Sequence, residues 1–458
     1  MQRMGDLILS FPLFLWLQQM YPEHRIRVLA RRLFFEGLLP VSPAVDYIDP
    51  DCWERFCKDK YFLSLNLSLG AAAAEIQAQV DAEEKFGPII EYGSLRILGN
   101  WQLYRASLVH NNRYNLMHWA DMNALDVVPA RVMQKTRWPQ VKEQSSRRRI
   151  GLFIGASQPE KRPDAVFWAR LAEELLRRKC FPVFLGGRAE QELASEIAAC
   201  MQARVPAYCG QFSLAQLADF EKSLDLLVTP DTGPMHLAAW TSVQVLNLSL
   251  GPVNPWETGP YQPGHFILSA DITCRGCWEC KRPAIACREA FVPSRVAALI
   301  QEMLKKEPVR LQKIHPAGLA LFTSSRFPSG LYRLESLQTD FCGPDMACSL
   351  FWQAFFCHVL HGADENVVQQ AGATVSTSFS LRQKMSEGLT GLVRQLVLCR
   401  QNPATLLESS VWLDCIPELR SLSGYVQLFI QNEGLSRACF LRAIELVEQA
   451  LDFLGSAD

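Results

Sequence analysis

Blocks of apolar residues alternate with helical patterns between residues 149 and 250. The apolar blocks have the length of buried strands: RIGLFIGAS (149–157), FPVFLGG (181–187), VPAYCG (205–210), LDLLVTP (224–230) and VQVLNLSL (243–250). The helical patterns begin near Pro163, Ala189, Ser213 and Pro234. Regular alternation of strand and helix is typical of a parallel sheet covered by helices on both faces. We therefore predict a doubly wound α/β domain over residues 146–305.

The N-terminal part of the chain has a weaker form of the same alternation. Its apolar run Leu7–Leu17 contains Pro12 and is shorter than the ~20 residues of a membrane-spanning helix. We predict a buried helix there rather than a signal peptide. Residues 71–86 have the composition of a helix that ends before Gly87. Strand-like runs follow or flank these helices at RIRVLA, DYIDP and YFLSLNLSL, so we predict a first α/β domain over residues 1–145.

Long helical patterns replace this alternation after about Pro308. In the last of them Phe440, Ile444, Val447 and Leu451 recur at helical spacing and form one apolar stripe. We predict a mostly helical extension over residues 306–458. It contains no motif to which we assign a function.

Composition narrows the class of protein. Of the 458 residues 49% are hydrophobic and 20% are charged, as in ordinary globular proteins. The formal net charge of -1 gives no basic field that would attract nucleic acid. The 15 cysteines are odd in number and mostly isolated, which favours free thiols in a reducing compartment. We therefore expect a cytoplasmic protein that binds no nucleic acid.

The segment TPDTGPMHLAAW (229–240) follows a predicted strand and opens a helix. Ligands of open parallel sheets bind beyond the carboxyl ends of the strands, and free N–H groups at a helix N-terminus favour a phosphate. Gly233 would let a ligand approach that backbone, while Thr232 and His236 would add side-chain donors. Asp231 would repel a phosphate and is better suited to accepting hydrogen bonds from sugar hydroxyls. The alternative is a helix cap at Asp231 or Thr232 with His236 in the core.

A second strand end, GASQPEKRP (155–163), offers similar chemistry. Ser157 supplies a hydroxyl and Lys161 a positive charge suited to a diphosphate. Neither GxGxxG nor GxxxxGK[ST] is present, which argues against an ordinary dinucleotide or P-loop site. After FPVFLGG, Glu190 is placed to accept from a sugar hydroxyl. A solvated lysine and a glutamate that only complements the helix dipole are the alternatives.

Five segments and a cysteine-rich loop at residues 274–287, in this order, resemble glycosyltransferase family 9, the family of the lipopolysaccharide heptosyltransferases. The segments are RMGDLILSFPLF, YFLSLNLSL, IGASQPEKRP, LVTPDTGPMHLAA and LGPVNPWETGPY. The resemblance covers roughly residues 1–305. It implies the GT-B architecture, in which two Rossmann-like, doubly wound α/β domains face a cleft and the donor nucleotide sugar binds mainly in the second. The helical C-terminal residues are then an extension of that architecture.

The resemblance also implies a reaction and its residues. Asp6, in the GD motif, matches the proposed general base. The residues that match the donor site are Ser157, Lys161, Glu190, Asp231, Thr232, Gly233 and His236. The implied reaction is inverting transfer of a sugar, with ADP-heptose the favoured donor, and it requires no cofactor. A lipopolysaccharide-core-like or other glycan, free or lipid-linked, is the implied acceptor, with at most peripheral contact at the inner face of the inner membrane.

The start of the chain departs from the family pattern. Members have a strand directly before the GD motif, whereas only residues 1–4 precede Gly5. Either the coding sequence begins upstream or the first strand is missing. A missing strand would favour a second interpretation, a catalytically weak nucleotide-sugar-binding or scaffold protein with a partner-binding helical extension.

Four cysteines form the pattern C-x2-C-x2-C-x6-C. They are Cys274, Cys277, Cys280 and Cys287. Thiolates this close in sequence suit a structural zinc ion or an iron–sulfur cluster, although the spacing matches neither a zinc ribbon nor a ferredoxin run. Reduced thiols and a local disulfide are the alternatives. Similar loops occur in family 9 outside the transfer chemistry.

Overall fold

A computed structural model describes residues 3–143, 145, 147–280, 282, 284–305, 317–338, 343–401 and 415–455. By its internal contacts the chain divides into two units. Unit 1 comprises Met1–Trp53 and His118–Thr339, and unit 2 comprises Glu54–Met117 and Asp340–Asp458. The predicted domain bounds at residues 145 and 305 stay predictions, and the boundary predicted near Pro308 lies outside the described residues.

The helices and strands alternate along much of the chain. The first are α1 (Met4–Ile8), α2 (Phe11–Met20), β1 (Arg27–Leu29), α3 (Arg32–Leu38), β2 (Asp46–Ile48), α4 (Trp53–Phe56), β3 (Lys60–Leu65), α5 (Ala71–Gln79), β4 (Asp81–Glu91), β5 (Ser94–Leu98), α6 (Asn100–Ser107), α7 (Trp119–Met122) and α8 (Ala130–Gln134). Then come β6 (Arg149–Phe153), α9 (Ala165–Arg177), β7 (Phe181–Leu185), α10 (Gln191–Ala199), α11 (Leu214–Glu221), β8 (Leu226–Thr229), α12 (Gly233–Trp240), β9 (Val245–Ser249), α13 (Pro255–Thr258), β10 (Phe266–Ala270), α14 (Ala286–Glu289) and α15 (Pro293–Met303). The last are β11 (Leu319–Arg326), β12 (Tyr332–Ser336), α16 (Pro344–His361), α17 (Glu365–Ser376), α18 (Phe379–Gln401), α19 (Arg420–Asn432) and α20 (Arg437–Phe453).

A seven-stranded sheet dominates unit 1, with the strand order β12-β11-β10-β9-β8-β6-β7. Strands β6 to β10 are parallel, and β11 and β12 join antiparallel at one edge. From β6 the chain crosses to β7 on one side and then returns to β8 on the other. This reversal of strand order places a topological switch point between β6 and β8.

Apolar residues cover both faces of this sheet. Along β6, Ile150 and Leu152 point into a core formed with α9, α10 and α15, while Phe153 packs with α11 and α12. Successive side chains of a strand point to opposite faces, so a strand buried on both sides must be apolar throughout. The prediction of a doubly wound domain from these apolar runs is therefore confirmed.

Side-chain caps fix the starts of two sheet-covering helices. Asp164 accepts a hydrogen bond from the N–H of Phe167 at 2.8 Å, which satisfies one free donor at the start of α9. At α11, Ser213 and Gln216 form a reciprocal capping box. These caps agree with the helix starts predicted near Pro163 and Ser213.

Unit 2 contains a small sheet and a set of helices. Its strand order is β3-β4-β5, with β3 and β4 parallel and β4 and β5 antiparallel. Helices α16 to α20 account for most of the described C-terminal residues, and Phe440, Ile444 and Val447 of the predicted stripe are buried. Within the described residues, no helix combines the length and apolar character that crossing a membrane requires.

Three local predictions need correction. The helix predicted over residues 71–86 ends at Gln79, and residues 81–86 belong to β4, which pairs with β3. The run VPAYCG makes only an isolated bridge, between Phe184 and Ala207. Residues 319–326 and 332–336, predicted within the mostly helical extension, form β11 and β12 of the main sheet, while the bound at residue 306 stays a prediction.

A buried polar cluster joins separate segments of unit 1. The Asp121 carboxylate, only 1% exposed, accepts hydrogen bonds from the Tyr261 hydroxyl at 2.5 Å and the Tyr332 N–H at 2.8 Å. Arg326 lies 3.7 Å from the same carboxylate and stacks over the Tyr261 ring at 3.8 Å. Burial raises the pKa of Asp121, and Arg326, Tyr261 and the Tyr332 N–H act against that rise. The cluster therefore contains a buried charge that depends on its partners.

We predict that Arg326→Met lowers the free energy of unfolding by about 3–5 kcal/mol, because it leaves the Asp121 charge buried without its cation. Arg333→Met is the control, since the Arg333–Glu335 pair is 46% and 42% exposed and should contribute no more than ~1 kcal/mol. Urea unfolding followed by tryptophan fluorescence measures both. Equal losses in the two variants would contradict the prediction.

Candidate functional site

The loops after β6 and β8 leave the sheet at neighbouring carboxyl ends, at the switch point. Strands β6 and β8 are adjacent, with Leu152 paired to Val228. Ligands of doubly wound sheets bind in the crevice outside such a reversal. All twelve candidate residues belong to unit 1, and two of the predicted loops, 155–161 and 231–236, meet at this edge.

The start of α12 has no side-chain cap. Its N-cap residue, Thr232, is extended at φ -159° and makes no capping hydrogen bond through its hydroxyl. Pro234 has no N–H, and the N–H of Met235 donates to the carbonyl of Thr232 at 3.0 Å. Among the described hydrogen bonds, the N–H of Gly233 is therefore the donor of the first turn that is left for another partner. This geometry argues against the interpretation that Thr232 merely caps the helix.

The side chain of Asp231 is 14% exposed and held by a neighbouring loop. One of its oxygens accepts a hydrogen bond from the Thr258 hydroxyl at 2.9 Å, and the other lies 3.9 Å from Nε2 of His236. Burial raises the pKa of this carboxyl, and the charge of Lys161 and the Thr258 hydrogen bond lower it. Asp231 is thus oriented away from a capping role.

His236 is buried, and one of its ring nitrogens, Nδ1, has no hydrogen-bond partner among the described residues. The side chain is 6% exposed, and its Nδ1 makes no hydrogen bond within the described part of the chain. Burial lowers the pKa of His236 to about 4, so the ring is neutral at pH 7. A buried ring nitrogen left unpaired costs free energy unless a ligand or water satisfies it.

The loop after β6 supplies an exposed hydroxyl and a cation. Ser157 is exposed, and Lys161 ends a short 3-10 turn that begins at Pro159. Lys161 lies near enough to Asp231 for its charge to lower the pKa of that carboxyl. The structure therefore brings together a cation and a carboxylate that are far apart in sequence.

Glu190 folds back onto its own turn and onto the loop after β6. Its carboxylate accepts a hydrogen bond from the N–H of Gly187 at 2.8 Å. A Cβ on Gly155 would stand only 2.6 Å from the carboxyl carbon of Glu190, so any other residue there would displace this carboxylate. Glu190 thus holds its own turn through this hydrogen bond, and its contact with a donor stays a prediction.

Helix α1 brings the GD motif against α12. A Cβ on Gly5 would lie 3.2 Å from Cδ2 of His236, and a Cβ on Gly233 would meet Cε of Met4 at 2.2 Å. These two glycines therefore allow a close approach of the helices. Asp6, the next residue after Gly5, is partly exposed at this place. The sequence predicted that a ligand would lie close to the backbone of Gly233. In the structure, Met4 and Gly5 of α1 lie close to Gly233.

The four cysteines line one small cavity near the end of β9, with Ser249 and Gly251. Burial, and to a smaller extent the three other thiols, raise the pKa of Cys277 to about 11. Among the described residues, no three His, Cys, Asp or Glu side chains are arranged to hold a metal ion. A structural zinc ion or iron–sulfur cluster stays a prediction that the donor chemistry permits.

Thr258 is the contact that the sequence analysis missed. It ends α13 in the segment NPWETGPY, which carried the family resemblance without any role for this residue. Thr258 follows Asp231 by 27 residues, and this spacing alone does not predict their contact. The contact forms in a fold in which β8 and β9 are paired.

The fold is that of GT-B glycosyltransferases. The structure of the Escherichia coli ADP-heptose lipopolysaccharide heptosyltransferase II superposes with a TM-score of 0.51 at 21% identity, over 67% of this chain and 97% of that one. The large parallel sheet with helices on both faces is common to both, and the helical residues beyond it are present here. The predicted fold class is therefore confirmed.

The family is also the one predicted. Residues 102–285 match the model of "Glycosyltransferase family 9 (heptosyltransferase)". Two Campylobacter jejuni proteins named lipooligosaccharide heptosyltransferase 2 are 29% and 27% identical over 34% of this chain. The chain spans about half the length of these relatives, 51% of each. Over these residues the chain is similar to the heptosyltransferases of glycosyltransferase family 9.

We predict that protonation of His236 lowers the free energy of unfolding as the pH falls from about 6.5 to about 4. Its folded pKa of about 4 is below the ordinary 6.5, so the unfolded chain binds the extra proton more readily in this window. The difference corresponds to about 3 kcal/mol. His236→Phe should lack this component, which urea unfolding at several pH values measures. Parallel pH curves for the two proteins would contradict it.

Proposed function

We propose that the protein is an inverting glycosyltransferase that moves a heptose from ADP-heptose to a lipopolysaccharide-core-like or other glycan acceptor. The observation that carries the proposal is the switch-point site, where the uncapped start of α12, Lys161 and His236 come together. The names of the family and of the two Campylobacter relatives favour heptose as the sugar. The name of the similar Escherichia coli structure favours ADP-heptose as its source.

Each part of the donor has a matching group at this site. The N–H of Gly233 and the dipole at the start of α12 suit a phosphate, and Lys161 adds a positive charge for the second phosphate. Nδ1 of the neutral His236 supplies a further hydrogen bond. The Asp231 carboxylate suits the sugar hydroxyls, since a carboxylate only accepts hydrogen bonds when ionised.

The same groups would stabilise the departing diphosphate. Charge develops on the phosphate oxygen as the bond to the anomeric carbon breaks, and preorganised donors stabilise it without reorganising. Asp6 would take the proton of the acceptor hydroxyl as that oxygen attacks the anomeric carbon from the opposite side. The position of Gly5 against His236 supports this assignment, because it brings α1 to the start of α12.

The acceptor is proposed on the family resemblance alone. A lipid-linked glycan would require the protein to reach the inner face of the inner membrane as a peripheral protein.

We predict that ADP and ADP-heptose raise the unfolding temperature, whereas UDP, GDP and CDP do not. A ligand at 100 times its dissociation constant adds about 2.7 kcal/mol. Lys161→Met should weaken ADP binding roughly tenfold or more, because a hydrogen bond to a charged group contributes about 1.5–3 kcal/mol. The control is Lys179→Met, an exposed lysine just before the amino end of β7. Selective response to another nucleotide would overturn the donor, and no response would favour the scaffold interpretation.

We predict that Asp6→Asn lowers kcat by roughly 10²–10⁴-fold while the Kd for ADP-heptose stays unchanged, since a general base acts in the transition state. Asp51→Asn, which removes an exposed carboxylate in the same unit, should leave both quantities unchanged. Product formation and calorimetric titration measure them. Undiminished turnover in Asp6→Asn would refute its role as the base.

A further inference from the structure

Residues 254–262 form a short segment, here called the strap, that is fixed by buried side chains. At its start, the Asn254 side chain accepts a hydrogen bond from the N–H of Trp256 at 3.1 Å. Further along, Nε2 of His118 lies 3.0 Å from the carbonyl oxygen of Gly259. The strap is therefore held at both sides of Thr258.

The end of the strap is held by the polar cluster around Asp121. Arg326 donates to the carbonyl of Tyr261 at 2.8 Å, and the hydroxyl of Ser324 donates to the carbonyl of Gln262 at 2.7 Å. Backbone carbonyls bound by buried side chains leave the strap little freedom to shift. The position of the Thr258 hydroxyl is thus fixed before any ligand binds.

We propose that Thr258 is a positioning residue for Asp231, whose carboxylate it holds in one orientation for the sugar of the donor. This role rests on the donor function proposed above. The contact that carries it is the 2.9 Å hydrogen bond that the Thr258 hydroxyl donates to the Asp231 carboxylate. The rigid strap makes the contact a fixed one.

The hydrogen bond has two physical consequences. It occupies one carboxylate oxygen, so the other, 3.9 Å from His236, keeps its direction. It also lowers the pKa of Asp231, against the effect of burial, so that the carboxylate remains an acceptor to lower pH. Without the hydroxyl, Asp231 would both rotate and take up a proton more readily.

The test compares Thr258→Val with Thr258→Ser, which keeps the hydroxyl. Thr241→Val is the control, because its hydroxyl binds only the carbonyls of Leu237 and Ala238 at the other end of α12. Calorimetric titration with ADP and with ADP-heptose between pH 5 and 8 gives the dissociation constants.

We expect Thr258→Val to weaken ADP-heptose roughly tenfold, while ADP, which lacks the sugar, changes less than about twofold. The loss of ADP-heptose affinity on the acid side should also begin at higher pH, and Thr258→Ser should restore the wild-type values. Unchanged ADP-heptose binding in Thr258→Val, or equal losses for both ligands, would overturn the proposal.

A second measurement separates this proposal from the donor function itself. Because the hydroxyl stabilises the ionised carboxylate, its contribution to folding is present where Asp231 is ionised and disappears as the pH falls through the pKa of Asp231. Thr258→Val should therefore lower the unfolding temperature at pH 7 and lose that effect in acid, and it should have no such pH-dependent effect in an Asp231→Ala background. A wild-type protein that binds no nucleotide sugar would defeat the donor function, whereas absence of this pH-dependent difference would defeat the contact.

Discussion

The reversal of strand order between β6 and β8 is the constraint on which the site depends. Because the chain passes to opposite sides of β6, the loops after β6 and β8 are not covered by a connecting helix and meet at one edge of the sheet. Residues 155–161 and 231–236 occupy that edge. The charge of Lys161 lowers the pKa of Asp231 there although 70 positions separate the two residues, from 161 to 231. The phosphate chemistry proposed for the protein follows from this placement more than from any single residue.

Two further sets of close contacts hold the loops at this edge of the sheet in place. In the first, α1 lies against α12 where glycines at positions 5 and 233 leave room. In the second, a buried cluster around Asp121 fixes the strap. The Asp121 side chain is 1% exposed, and Arg326 and Tyr261 compensate its charge. A buried charge with all its partners specifies one arrangement, because any displacement leaves it unpaired. The stability of unit 1 and the geometry of Asp231 are therefore connected through the same residues.

The sequence predicted the main sheet because strands such as β6, with Ile150 and Leu152, are buried on both faces and read as continuous apolar runs. Strand β4 was missed because its first residues, DAEEKF, are largely charged and partly exposed, which resembles the end of a helix. The loops after β6 and β8 were predicted to bind a donor because polar and charged side chains follow the ends of these strands. The contacts of Thr258 with Asp231 and of Gly5 with His236 were not predicted, since they join residues that only the folded sheet brings together.

Hydrogen–deuterium exchange with and without ADP-heptose tests the central claim most directly, that the donor binds where the loops after β6 and β8 meet. The account predicts slower exchange in residues 155–161 and 231–236, because the bound ligand covers both loops, with little change along unit 2. Protection confined to other parts of the chain, under conditions in which calorimetry shows the ligand bound, would contradict it.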